Sequence, residues 1–129
     1  MTQETPKPAR GMPEKTQESL KLVQEALDLT KCLRDPDLST ALRIMQWELG
    51  DLAKAVTYME WHDEKLHPAY KSEAKLALGS LIFQIRVCCA LLGIDLQEAS
   101  ELGVATIKER IEDMMRKSGR FQHYVGGKK

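Results

Sequence analysis

From Leu42 to Met59 the apolar side chains recur at alternating steps of three and four, as Leu42, Met45, Leu49, Leu52, Val56 and Met59. That spacing marks one face of an α-helix. It predicts a helix over about 38–61 with these six positions as its core-facing seam. A second stripe, Ala41, Ile44, Glu48, Asp51, Ala55 and Tyr58, lies beside the seam on the helical wheel, so two carboxylates fall inside a wide and mostly apolar arc.

Three more helices follow from the same reasoning. Over about 14–33, Leu20, Val23 and Leu27 share one stripe with Leu22, Ala26 and Leu29 beside it. The "RDPD" segment ends this helix, because Pro36 disfavours helical backbone in the residue before it. Over about 69–92 the seam is Ala74, Leu78, Leu81, Ile85 and Cys88, next to a stripe of Glu73, Ala77, Ser80, Gln84 and Val87. Leu76 and Phe83 fall on yet another side. A helix apolar almost all round is expected to be central, or shared with another subunit. Gly93 suits the left-handed residue that closes it. Asp95 and Glu98 have capping-box spacing for a fourth helix over about 96–116. Gly103, about 1 kcal/mol less favourable there than alanine, marks a place for a kink.

Strand alternation is lacking, and long amphipathic helices with short connections predict an all-α antiparallel four-helix bundle. Pro6, Pro8 and Pro13 with few apolar neighbours make residues 1–13 a flexible leader by expectation. The helical domain is expected over 14–117 and a flexible tail over 118–129.

Composition narrows the partners. With 129 residues and 43% hydrophobic content the chain supports a single core. Nineteen basic and nineteen acidic side chains cancel, so no global field draws in nucleic acid or an anionic membrane, and neither is an expected partner. Aromatic content of 5% argues against a stacking platform for single strands. Uninterrupted apolar runs fall short of the roughly 18 residues of a membrane helix, and the first residues lack the apolar centre of a signal peptide. A soluble cytoplasmic protein is the expectation. Cys88 and Cys89 are adjacent and Cys32 is remote, which fits neither a disulfide framework nor a Cys-x-x-Cys site. Reduced, packed thiols are expected.

The chain repeats itself. "WELGDLAKAV" at 47–56 returns 29 positions later as "LALGSLIFQI" at 76–85, with Leu-Gly and the following Leu in the same places. Glu48 and Asp51 of the first copy become Ala77 and Ser80 in the second. Residues three apart on a helix are neighbours, so Glu48 and Asp51 point into one space. Two carboxylates in an apolar arc repel each other and lose solvation, which calls for a compensating cation. One solution is a Lys or Arg from a neighbouring helix. The other is a hard metal: magnesium uses one or two protein carboxylates and keeps waters or substrate phosphates in its remaining positions.

The wording "ELGDLAKAV", then "ALGSLIFQIRVCCALLGIDLQEA", then a basic helix ending "MMRKSGRF" resembles the all-α nucleoside triphosphate pyrophosphohydrolases, in particular MazG-type proteins, over about residues 38–121. The resemblance implies a helical bundle that assembles as a homo-dimer or homo-tetramer. It also implies magnesium, with manganese as a substitute, held by Glu-x-x-Glu on one helix and Glu-x-x-Asp on the next. The implied reaction splits a nucleoside triphosphate, ribo- or deoxyribo-, into monophosphate and pyrophosphate. Glu48 and Asp51 match the first motif and are the implied catalytic and metal residues. Ala77 and Ser80 occupy the second, and neither replaces a carboxylate. The expected function is therefore either this hydrolase, impaired or altered in substrate, or a non-catalytic nucleotide-binding or assembly module on the same scaffold.

Other residues are candidates around that centre. Glu73 lies one turn before Ala77 and is a further metal ligand candidate, displaced by about 5.4 Å along the helix. Its ordinary role is an exposed acid near a helix N-terminus. Ser80 and Gln84 can offer neutral contacts to water or nucleotide, or satisfy each other within a bundle. Lys54 is a candidate phosphate contact or a solvent-facing lysine. By the resemblance, Lys108, Arg110, Arg116 and Lys117 would offset the triphosphate charge. Interleaved as they are with Glu109, Glu112 and Asp113, they also read as a solvated face. The cluster Glu60, His62, Asp63, Glu64 and His67 matches no zinc spacing and reads as a polar turn.

Overall fold

The computed structural model describes residues 14–119. The leader expected over 1–13 and all but the first two residues of the expected tail lie outside these residues. Among the described residues there are four α-helices, one 3-10 turn and no strand. The helices are α1 (Glu14–Lys31), α2 (Leu38–Trp61), α3 (His67–Leu92) and α4 (Leu96–Ser118), with the 3-10 turn Glu64–Leu66 before α3. The described residues are thus all-α with four helices, as the periodicities predict.

The helix ends follow from local chemistry. After α1 the chain tightens, with the Leu33 and Arg34 N–H groups both donating to the Thr30 carbonyl at 2.9 and 3.0 Å. Asp37 then opens α2 by accepting from the Thr40 N–H and the Thr40 hydroxyl, each at 2.8 Å. Pro68 occupies the first turn of α3, where a missing N–H costs nothing. Gly93 closes α3 at φ 66°, and the Ile94 N–H reaches back to the Cys89 carbonyl at 3.0 Å. Asp95 caps α4 by accepting from the Gln97 and Glu98 N–H groups at 2.8 and 3.2 Å. No break occurs at Gly103: α4 runs unbroken to Ser118 and ends on Gly119 at φ 79°.

The chain divides into two compact units, one ending at Ile94 and one beginning at Asp95. In the first, α3 packs against both α1 and α2, so the helix that is apolar almost all round is the central one. Ala26, Ala41 and Val87 form its buried cluster, one from each helix, with Phe83, Cys88 and Leu91 packed on it. The second unit is α4 alone with its flanking residues, and no residue of that helix is buried.

The register of α2 on α3 is set at two places. Tyr58 meets Tyr70 beside the turn, and Ala41 and Val87, each 17 residues further from the turn, share the buried cluster. The two helices are therefore antiparallel and in step. Counting inward, Glu48 lies at the level of Ser80, Asp51 at that of Ala77, Ile44 at that of Gln84, and the Leu49–Gly50 pair at that of Leu78–Gly79.

Two sequence expectations are corrected. The buried positions of α2 are Ala41 and Ala55, from the stripe that carries the acids, whereas Leu42, Leu49 and Val56 of the expected seam are exposed. On α3 the buried residues are Ala77, Gln84, Val87 and Cys89, while Leu78 and Ile85 of its expected seam are exposed. Both helices turn their smaller side chains inward, because alanines let helix backbones approach closely. The rest of the two expected seams, Met45, Leu52 and Met59 on α2 and Ala74, Leu81 and Cys88 on α3, is half-buried. A second finding concerns α3 itself: residues 64–92 are long and apolar enough to cross a bilayer by length and composition, although Gln84 and Arg86 interrupt the run. In the fold α1 and α2 pack against this segment, and 22% of its most apolar stretch is buried.

Candidate functional site

Glu48 and Asp51 are one turn apart at the middle of α2, the first half-buried and the second exposed. Neither carboxylate has a hydrogen bond or ion pair with a described residue, so a neighbouring Lys or Arg does not neutralise them among the described residues. Across from them α3 presents Ser80, half-buried, and Ala77, only 2% exposed. The four positions that the internal repeat relates, two acids and their two replacements, thus stand at adjoining levels of one antiparallel helix pair.

Glu73 does not join them. It is exposed and falls at the level of Ala55, about one turn along the axis from Asp51. Among the described residues no group of three or more His, Cys, Asp or Glu side chains is gathered where it could hold a metal ion. What remains is a two-carboxylate arrangement with hard oxygen donors. That set fits magnesium, which completes its six positions with water and phosphate, and it does not fit zinc, whose protein sites want three or four ligands.

Gln84 is buried, and its Oε1 has no hydrogen-bond partner. A buried amide oxygen left unpaired costs on the order of 1–3 kcal/mol. The pairing with Ser80 considered from sequence does not supply it. The same is true of the buried Nε atoms of Arg34 and Arg86. Lys54 is exposed and holds its Nζ 5.7 Å from the centre of the Tyr58 ring, a cation–π contact one turn past Asp51. Lys108, Arg116 and Lys117 belong to the second unit and are exposed along α4. Lys117 pairs with Asp113 at 3.1 Å on the same helix, which is the solvated-face arrangement.

One cluster was not foreseen. Tyr58, Trp61, His62 and Tyr70 gather their rings where α2 turns into α3, with Tyr58 edge-on to Tyr70 at 5.5 Å and His62 stacked on Tyr70 at 5.7 Å. The Nε2 of His67 lies 3.3 Å from the His62 carbonyl oxygen. The signal was present as Tyr58, Trp61 and His62 at steps of three and four. It was hidden because Tyr70 joins only after the chain has turned. The cluster joins the ends of α2 and α3, and residues 60–66 of the "EWHDEKLH" turn are exposed, as a polar turn is expected to be.

No disulfide joins Cys32, Cys88 or Cys89. Cys89 is buried, Cys88 is half-buried with its thiol pushed up by burial, and Cys32 is exposed, so the expectation of packed thiols fails at Cys32.

No protein-family model matches the chain, and neither does any curated protein or solved structure.

Proposed function

We propose that this protein is a magnesium-dependent nucleoside triphosphate pyrophosphohydrolase of the MazG-like type, working as a homo-dimer or homo-tetramer. The observation that carries this reading is the pair of carboxylates without an ion-pair partner among the described residues, Glu48 half-buried and Asp51 exposed, one turn apart on α2. When bound, magnesium or manganese would polarise phosphate oxygens and lower the pKa of a coordinated water. Glu48, the less exposed of the two, and Asp51 would hold the cation, and Glu48 would orient the attacking water and accept its proton. The water oxygen would bond to phosphorus as the bond from that phosphorus to the pyrophosphate oxygen breaks, giving nucleoside monophosphate and pyrophosphate. The Ser80 hydroxyl, at the level of Glu48, would donate to water or phosphate. Gln84, whose Oε1 lacks a partner, is an acceptor one turn further along α3. Lys54 stands nearest along α2 to offset phosphate charge.

A second reading is favoured by a separate observation. Ala77 is buried and, like Ser80, offers no carboxylate, so α3 brings none to the levels of Asp51 and Glu48. On this reading the chain is a non-catalytic nucleotide-binding or assembly module that kept the scaffold.

Pyrophosphate release from a panel of ribo- and deoxynucleotides, with magnesium or manganese, separates the two. Metal-dependent turnover that Glu48→Gln abolishes supports the hydrolase. Absence of turnover on every nucleotide, from a folded protein, supports the module.

A further inference from the structure

We infer that Gln84 is a third protein ligand of the cation held by Glu48 and Asp51, its Oε1 supplying from α3 a hard oxygen that Ala77 cannot. The inference rests on the reading of the two acids as a magnesium site and adds the donor that the opposite helix brings to it.

Row spacing places Gln84 in the seam between the two helices. Tyr70, Ala77 and Gln84 recur at steps of seven on α3, and residues so spaced keep to one line of a helix that packs against another. Tyr70 fixes which way that line faces, because its ring meets that of Tyr58 on α2 at 5.5 Å. The corresponding line on α2 is Ala41, Glu48 and Ala55, whose two alanines are 0% and 1% exposed. Since α3 is the helix that α2 packs on, this line faces α3. Glu48 and Gln84 thus belong to the two lines that meet in the α2–α3 seam.

Direction along the axis brings the two side chains together. Glu48 is level with Ser80, and Gln84 follows Ser80 by one turn, about 6 Å. Side chains on a helix lean toward its N-terminus. On α3 this carries Gln84 back toward the level of Glu48. On α2, which runs the other way, it carries Glu48 toward the level of Gln84. The amide and the carboxylate therefore lean into the same gap.

That gap gathers acceptors and no compensating charge. Gln84 is 9% exposed, and its Oε1 is buried with no hydrogen-bond partner. Glu48 and Asp51 have no ion-pair partner among the described residues. A buried, unpaired amide oxygen costs stability, and so does a half-buried carboxylate without a cation. One divalent ion answers both, because carboxylate and amide oxygens are the ligands that magnesium, manganese and calcium take. Two carboxylates and one neutral oxygen balance the charge of a single such ion and leave its other positions to water or phosphate. A neutral ligand has a further consequence here. It coordinates without adding charge, so its line can stay buried when no metal is bound.

The test uses the full chain and manganese, followed by loss of the electron paramagnetic resonance signal of the free ion. Wild type is expected to bind one manganese per chain at millimolar concentration or below. Gln84→Leu is expected to weaken binding by roughly tenfold or more, and Gln84→Glu to tighten it by a similar factor, since ligand charge rises. Without metal, Gln84→Leu is expected to melt no lower than wild type, because an apolar group replaces an unpaired buried amide. Trace manganese is also expected to broaden the side-chain amide resonance of Gln84 in wild type, a readout that needs no variant. Wild type that binds no manganese, unchanged affinity in Gln84→Leu, or an unbroadened amide overturns the inference. So does Gln84→Glu that weakens binding as Gln84→Leu does, which would make Gln84 a hydrogen-bond donor to Glu48. If Glu48→Gln abolishes binding and turnover while Gln84→Leu binds manganese as wild type does, the inference fails and the hydrolase stands. If binding needs both residues but no nucleotide is split, the hydrolase fails and the ligand assignment stands.

Discussion

The ring of Tyr70 meets that of Tyr58 edge-on at 5.5 Å, and this contact beside the turn keeps α3 in step with α2. Removing it lets the helices slide. A slide of one residue moves Ser80 off the level of Glu48 by about 1.5 Å. Tyr70→Ala should therefore destabilise the protein by about 2–4 kcal/mol and weaken magnesium binding, whereas Tyr70→Phe should retain both. Thermal melts and magnesium calorimetry check this.

Ser80→Asp places a carboxylate opposite Glu48. Ligand charge sets affinity for hard cations, so magnesium should bind roughly tenfold more tightly. Without metal the extra like charge should lower the melting temperature. Calorimetry and melts with and without magnesium read the two effects, and equal melts in both conditions would count against a cation at this place.

Val87 is fully buried between Ala26 and Ala41, so Val87→Ala should cost about 2 kcal/mol in lost burial and residual cavity. Leu33, 84% exposed, should tolerate Leu33→Ala within about 0.5 kcal/mol. Urea unfolding of the two variants makes the comparison.

The Thr40 N–H, and next its hydroxyl, hold the Asp37 carboxyl below its usual 3.8. A folded-state pKa that is depressed contributes stability above the unfolded value, and loses it as pH falls through the lowered one. Wild type should therefore exceed Asp37→Asn in stability at about pH 5, and the gap should close toward about pH 2. Urea midpoints across that range measure it.

Thiol reactivity should rank by access and ionisation. Cys32 should alkylate first, Cys88 more slowly because burial raises its thiol, and Cys89 only on unfolding. Timed iodoacetamide labelling with peptide mapping gives the order.

Much of the fold was legible in the chain. The bounds of α2 agree with its apolar periodicity, Gly93 and Asp95 end one helix and start the next as their chemistry requires, and the continuous apolar girth of α3 marks it as central. These are local matters, decided within a few residues by caps, turns and a period near 3.6. The neighbouring acids were equally plain, since their spacing alone puts them on one side of α2. Which stripe faces inward was a different question. On α2 and α3 two adjacent stripes satisfy the same period, and the larger one looked like the core. Packing chose the other, with Ala41, Ala55 and Ala77 inside and Leu42, Leu49 and Leu78 outside. Periodicity assigns directions around a helix, but the distance between two helix axes depends on both surfaces at once. Only the folded hairpin set that distance, brought Ala77 level with Asp51, and left Leu42, Leu49 and Leu78 exposed while Leu52 and Leu81 are half-buried.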